Sequence, residues 1–198
     1  MMKKHVLFLL LVLTSFSVAA QKRWGVVGGV NLSTTSAGEF GWRAGGYIGG
    51  LYDIRLSESW YIQPQLLYSY EENQTKGKSP VDIFYSQHAL TLPVLASVKL
   101  PLNKALALRV SAGPYIQYAL FGRNKVAYSN AEGESVGNKL GWWHADFGDR
   151  FTYGLKGGLS LEGNHWFGVI DCKYSLKKSW LNYEGHGLTL SAGLGYKF

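Results

Sequence analysis

The residues best suited to chemistry are few and lie in two short stretches of the 198-residue chain. Ser86 and His88 are two positions apart, and a serine hydroxyl beside an imidazole base could act as a nucleophile in acyl transfer. No acidic residue is evident that would orient the imidazole, so chance adjacency is the simpler explanation. His144 and Asp146 could serve an acyltransferase or a metal, but two ligands without a third do not make a metal site.

Other signals exclude several classes of function. The sequence contains no phosphate-binding loop, dinucleotide fingerprint or cysteine–histidine cluster. Its basic residues are spread along the chain instead of forming a block that could track nucleic acid. We therefore expect no cofactor, no metal, no nucleic-acid partner and no enzymatic activity.

Residues 1–20 read as a signal peptide that is cleaved before Gln21. Lys3 and Lys4 precede an apolar run, and Val18-Ala19-Ala20 supplies the small residues of a cleavage site. The mature chain lacks these two lysines, so it has 18 basic and 13 acidic residues and a formal net charge of +5. No later stretch reaches the roughly 20 apolar residues of a spanning helix. If the mature chain, residues 21–198, is in a membrane, it must cross as strands.

The stretch from His186 to Phe198 indicates how such strands are built. Its even positions from Leu188 to Phe198 are all apolar, and its odd positions are small or polar. Because successive side chains of a strand point to opposite faces, one face is wholly apolar and the other polar. This pattern is typical of the closing strand of an outer-membrane barrel, whose apolar face meets lipid.

Eight such alternating segments follow Gln21. They lie near residues 23–33, 41–54, 59–71, 84–100, 105–120, 150–162, 165–176 and 186–198. Short connections alternate with long ones, as in barrels with brief periplasmic turns and long outer loops. We predict an all-β fold, an eight-stranded antiparallel up-and-down transmembrane β-barrel with a side-chain-filled lumen. Pro64, Pro93 and Pro114 fall within strands, where we expect bulges and a slip in the alternation.

Aromatic residues sort by strand direction into two girdles, as amphipathic rings at the two headgroup boundaries would. The predicted periplasmic girdle contains Trp24, Tyr52, Trp60, Trp166, Tyr196 and Phe198. The predicted outer girdle contains Trp42, Tyr68, Phe84, Tyr118, Tyr153 and Tyr174. A soluble sandwich gives no reason for such sorting, so the pattern favours a membrane barrel.

Charged residues alternate with these apolar positions and should point into the lumen. They are Arg43, Asp53, Arg55, Glu71, Lys99, Arg109, Lys156, Asp171 and Lys173. Both signs are present, which predicts a packed network of paired charges instead of an open channel. The third outer loop is the longest, and we expect a partner-binding segment there. Its candidate residues are Trp142, Trp143, His144 and Asp146.

Four short motifs resemble the PorT-type outer-membrane β-barrel family. They are ALTLPVL from Ala89, AGPYI from Ala112, YGLKGGL from Tyr153 and the ending GLGYKF from Gly193. The resemblance covers most of the mature chain and implies an eight-stranded integral outer-membrane barrel. It also implies a link to type IX protein secretion, although this chain is shorter than PorT.

The leading functional hypothesis is a non-enzymatic outer-membrane scaffold or partner-binding component, accessory to secretion. Expected partners are outer-membrane lipids, an envelope or secretion protein, and the barrel assembly machinery, which would bind the C-terminal strand. One alternative is a lipid A-modifying enzyme of the outer leaflet that uses Ser86 and His88, loosely similar to lipid A deacylases but with the reverse residue order. A second alternative is a small passive channel, which a filled lumen disfavours.

Overall fold

The computed structural model describes residues 23–36, 39–76, 81–129, 135–141, 150–178 and 185–198. The predicted signal peptide, residues 1–20, lies outside this part of the chain. The strands are β1 (Arg23–Thr35), β2 (Glu39–Gly41), β3 (Arg43–Arg55), β4 (Trp60–Lys76), β5 (Val81–Pro101), β6 (Ala107–Ser129), β7 (Ser135–Gly141), β8 (Phe151–Glu162), β9 (Trp166–Ser175) and β10 (Gly187–Lys197). Within the described residues, no helix is long and apolar enough to span a membrane.

Eight of these strands form a closed antiparallel barrel. Its order is β1-β3-β4-β5-β6-β8-β9-β10, and β10 pairs with β1 to complete the ring. The short strands β2 and β7 add to β4 and β6 outside this ring. The predicted eight-stranded barrel is therefore confirmed. Short turns at 56–59, 102–106 and 163–165 lie at the end that should face the periplasm.

The alternation of the sequence decides which side chains face outward. Val30, Ile170 and Leu194 are 63%, 69% and 69% exposed, as lipid-facing residues are when no lipid is present. Leu51 and Leu67 point inward and are nearly fully buried. They belong to a small apolar cluster inside the barrel, together with Val27, Tyr47 and Phe167.

The strands in the middle of the chain extend well beyond their predicted outer ends. β4 continues to Lys76, β5 begins at Val81 and β6 continues to Ser129. Residues 72–76, 81–83 and 121–129, expected to lie in loops, are therefore paired backbone. Apolar and polar residues stop alternating at the membrane boundary, because beyond it both faces of a strand pair meet polar surroundings. The strands therefore continue further than the alternation in the sequence indicates.

The prolines do not shift the alternation, contrary to prediction. Pairing is interrupted beside Pro64 and Pro93, yet the register is the same on both sides of each gap. The shift in the β5–β6 pairing lies between His88 and Ala89. It places an extra residue in β6 near Ala119, so that Phe121 is exposed although Ala119, two positions earlier, is buried.

Aromatic side chains cover glycines on the inner wall. The Tyr47 hydroxyl lies where a Cβ on Gly193 would be, and the Phe167 ring lies where one on Gly195 would be. A small residue beneath a large ring lets the wall and the interior pack without a void. Glycine is therefore a packing requirement at these two positions.

Candidate functional site

The periplasmic end of the lumen holds a group of five charged side chains, the periplasmic cluster, of which four are buried and Lys99 is half-buried. Arg109 Nη1 and Nη2 donate to Asp53 Oδ1 and Oδ2 at 3.0 and 2.9 Å, and Nε lies 2.7 Å from Glu162 Oε1. Lys197 Nζ bridges the same carboxylates, at 2.7 Å from Asp53 and 2.6 Å from Glu162. Lys99 Nζ lies 3.0 Å from Glu162 Oε2. Each carboxylate is thus held by two or more cations, which compensates the loss of water around buried charge.

Neutral side chains complete the periplasmic cluster. Gln63 Nε2 donates to Asp53 at 2.7 Å, and Arg109 donates to Ser97 Oγ at 3.1 Å. The Arg109 guanidinium also lies 4.7 Å from the centre of the Tyr61 ring, a cation–π distance. These contacts fix the orientation of Arg109, which is 2% exposed.

A second group, the outer cluster, surrounds Glu71 further along the lumen. The carboxylate pairs with Lys173 and accepts hydrogen bonds from Ser69 at 3.0 Å and Gln87 at 2.8 Å. Lys173 also donates to Gln117 Oε1 at 2.6 Å. Strands β4, β5, β6 and β9 are joined in this way across the interior.

A polar chain between the two clusters crosses the middle of the lumen. Lys156 Nζ lies 3.2 Å from Asp171 Oδ2 and donates to Gln65 Oε1 at 3.4 Å. Gln65 donates to Gln63 at 2.8 Å, and Gln63 in turn bonds to Asp53. The middle of the lumen is thereby connected to the periplasmic cluster through side chains alone.

Little empty space remains around these groups. A cavity of about 30 Å³ lies beside Tyr47 and Lys156, and one of about 90 Å³ lies beside the periplasmic cluster, next to Arg55 and His165. Such volumes admit a few water molecules. This arrangement is suited to sealing and stiffening the barrel.

One of the charges expected inside, Arg55, lies outside these clusters. Arg55 is exposed, and its Nε donates to the carbonyl oxygen of Ser57 at 2.9 Å in the turn after β3. It is the last residue of its strand, so its side chain reaches the turn instead of an interior carboxylate. Arg43 lies at the opposite end of β3, where its backbone pairs with that of Ser33 in β1.

Glu162 and Lys197 are central to the periplasmic cluster but are missing from the predicted interior set. Each is the last residue of its strand, and Glu162 directly precedes a turn, where a charged residue resembles part of that turn. The available signal for Glu162 was its place in the alternation. Leu159 and Leu161 face outward, so Glu162, one position after Leu161, points inward. Extending the alternation to Glu162 would have identified it, and Lys197 already lies on the polar face of the His186–Phe198 stretch.

The periplasmic aromatic residues form a nearly continuous band around the seam of the barrel. Trp24 and Tyr52 have ring centres 4.7 Å apart, and Tyr196 contacts Trp166 at 5.0 Å and Phe198 at 5.3 Å. Trp60 is 53% exposed on the neighbouring wall. This is the arrangement that amphipathic rings adopt at a membrane boundary.

The outer aromatic residues divide into two groups. Trp42, Tyr68, Tyr153 and Tyr174 are exposed, and Tyr118 is half-buried. Phe84 lies beyond their level, because its backbone pairs with Gln74 and Lys125, whereas Tyr68 pairs with Leu90. The longer β5 strand moves Phe84 away from the boundary.

The candidate catalytic pair does not assemble into a nucleophile and base. Ser86 Oγ donates to the carbonyl oxygen of Arg123 at 3.4 Å, and His88 Nδ1 lies 2.7 Å from the Tyr68 hydroxyl. Among the described residues, no group of three or more His, Cys, Asp or Glu side chains is arranged to hold a metal ion. Trp142, Trp143, His144 and Asp146 lie outside the described residues.

Three solved structures of outer-membrane proteins are similar to this chain. Ail, the attachment invasion locus protein of Yersinia pestis, is 14% identical with a TM-score of 0.46, over 89% of this chain and 99% of Ail. Neisserial surface protein A is 13% identical with a TM-score of 0.45, over 89% and 97%. OprG from Pseudomonas aeruginosa is 11% identical with a TM-score of 0.47, over 90% and 97%. The comparison with curated proteins found no match.

A family model described as an outer membrane protein beta-barrel domain matches residues 19–180, most of the chain. This match supports the outer-membrane location predicted from the sequence, and it does not single out PorT-type proteins. The chain therefore belongs to the outer membrane protein beta-barrel domain family.

Proposed function

We propose that this protein is a non-enzymatic outer-membrane scaffold, whose outer loops or periplasmic turns bind a protein partner of the cell envelope. The observation that supports this is the filled lumen, in which the periplasmic cluster, the outer cluster and the polar chain connect the strands across the interior. A barrel sealed in this way offers its rims and its lipid-facing wall to other molecules.

The PorT-like motifs suggest which partner this is. We infer a component of a protein-secretion system, of type IX by that resemblance. The passive-channel alternative has no support in a lumen with cavities of about 30 and 90 Å³. The enzymatic alternative has none in Ser86 and His88, whose bonds go to other groups.

The test is extraction of the tagged full-length protein from its native outer membrane in mild detergent, followed by sizing and mass spectrometry of co-migrating proteins. We expect migration within a larger complex that contains secretion components. Migration as a lone barrel would contradict the proposal.

Two variants would locate the contact. Trp142→Ala combined with Trp143→Ala alters the long outer loop, and Leu102→Ala alters an exposed residue of a periplasmic turn. Loss of the complex in only one of them identifies the face that binds. Both should retain the heat-dependent shift in gel mobility of a folded barrel, because none of the three side chains is predicted to fill the lumen.

A further inference from the structure

A polar and aromatic patch lies on the outward wall of the barrel, separate from the lumen. We call it the outer-rim patch, and it consists of Tyr68 and Tyr70 on β4, Ser86 and His88 on β5, and Phe121 and Arg123 on β6. Backbone pairing aligns Tyr70, His88 and Phe121 in one row, and Ser86 and Arg123 in the next. Three strands thus contribute to one continuous surface.

The imidazole of His88 is held firmly at the centre of this patch. It stacks on Phe121 with ring centres 4.4 Å apart and contacts Tyr70 at 4.8 Å. The Tyr68 hydroxyl lies 2.7 Å from Nδ1. When that hydroxyl donates to Nδ1, the hydrogen of the ring is on Nε2, which leaves a fixed donor available to a ligand.

The register shift between His88 and Ala89 is what completes the patch. Without the extra residue in β6, Phe121 and Arg123 would share the inward face of Ala119, which is 2% exposed. With it, Phe121 is 50% exposed and Arg123 is exposed on the outer wall. Bulges commonly redirect side chains at binding surfaces in this manner.

The patch contains one carboxylate neighbour, Glu72, and one cation, Arg123. The Glu72 carboxylate, beside Ser86 across the β4–β5 pairing, accepts a hydrogen bond from the Tyr70 hydroxyl. Among the side chains that the structure describes, no carboxylate lies within ion-pair distance of the Arg123 guanidinium. A guanidinium presents paired donors that match phosphate oxygens.

The position of the patch relative to the membrane limits what it can meet. Tyr68 belongs to the outer girdle, and the row of His88 lies two residues further out, roughly 7 Å along the strand at about 3.3 Å per residue. Outward-facing groups just beyond the girdle contact the headgroups of the outer leaflet instead of the acyl chains or the lumen.

We propose that the outer-rim patch binds the phosphorylated sugar headgroup of an outer-leaflet glycolipid. Arg123 pairs with the phosphate, and His88 donates from Nε2 to a phosphate or sugar oxygen. Tyr70 and Phe121 hold the imidazole in place. No bond is made or broken, so the patch is a binding site that fixes a lipid against β4–β6.

The test uses the full chain, purified, freed of lipid and refolded in detergent, with bisphosphorylated lipid A added in mixed micelles and bound lipid counted by native mass spectrometry. Arg123→Gln should weaken binding about tenfold, the usual scale for a charge-assisted contact. Lys178→Gln is the matched control, because it removes an exposed cation near the outer end of β9. It should change binding less than twofold.

His88→Phe is a second variant, because it preserves stacking on Tyr70 and Phe121 and removes both ring nitrogens, the Nε2 donor and the Nδ1 partner of the Tyr68 hydroxyl. We expect this variant to bind lipid A several-fold more weakly than the wild type. Its heat-dependent gel mobility should be unchanged. Lipid A without phosphates should bind the wild type about tenfold more weakly, and inorganic phosphate should not compete at millimolar concentration. Equal losses in Arg123→Gln and Lys178→Gln, or equal binding of dephosphorylated lipid A, would overturn the proposal.

Discussion

Glu162 has more charged partners than any other residue of the periplasmic cluster, because it contacts Lys99, Arg109 and Lys197. Neutralising it leaves the buried Arg109 and Lys197 with one carboxylate, Asp53, and removes the carboxylate partner of the half-buried Lys99. Removal of one partner from a buried ionic group costs about 3–5 kcal/mol.

We therefore expect Glu162→Gln to lower the free energy of unfolding by about 3 kcal/mol, measured by urea denaturation of the refolded barrel in detergent micelles. Glu58→Gln makes the same change in charge at an exposed position of a periplasmic turn. That control should stay within about 0.5 kcal/mol of the wild type. Equal stability of the two variants would show that the cluster is not held by its charges.

The sequence predicts which charged residues point inward, but not which of them meet. Parity alone places Glu71 and Lys173 on the inner face. Their contact also depends on the stagger between neighbouring strands, which sets how far along the lumen each residue lies and which alternation does not give. Lys197 stands on the polar face of the last strand, so the alternation itself places it in the lumen although the predicted set of interior charges omits it.

Single strands constrain their neighbours through the glycines of the inner wall. A Cβ on Gly193 would collide with the Tyr47 hydroxyl and lie 2.6 Å from the carbonyl oxygen of Gly28. Since one of these neighbours is backbone, the clash cannot be relieved by rotating a side chain. Gly168 is different, because the nearest atom to its Cβ would be Leu194 Cδ2 at 3.8 Å.

Gly193→Ala should therefore destabilise the barrel by about 1–3 kcal/mol, the usual cost of overpacking. Gly168→Ala should be nearly neutral, and the difference can be read from urea midpoints of the two variants side by side. Matching midpoints would mean that β10 can shift away from β3 at little cost.

The elements also show where local sequence rules are incomplete. Three prolines within strands suggested slips in register, yet the shift occurs in β6 near Ala119, away from all three prolines. Proline removes one donor, and a closed ladder can omit that bond while keeping its register. The extra residue in β6 depends on how Phe121 packs against His88, which is information from a neighbouring strand.

The whole molecule is a barrel whose interior is occupied. With eight strands, side chains can fill the interior completely. We expect the purified wild-type protein to give no ion-conducting steps in planar bilayers above a protein-free blank, with Glu58→Gln behaving identically. Steady openings of defined size would show that the ionic clusters do not seal the lumen.

At this scale the sequence was most informative. Eight alternating segments and two aromatic girdles predicted a closed membrane barrel, because both patterns are set by the bilayer and not by any particular contact. The outer extensions of β4, β5 and β6 were not predicted, since beyond the membrane the two faces of a strand no longer differ in polarity.

The pairing of β1 with β10 has a consequence for the order in which the molecule is made. Until β10 arrives, β1 and β9 each present an unpaired edge, and such edges invite aggregation. The same strand carries Lys197, which binds Asp53 from 144 residues away in the chain. During biogenesis, the pairing of β10 would therefore remove the last two open edges of the sheet. The same step would bring Lys197 into contact with the carboxylates of Asp53 and Glu162.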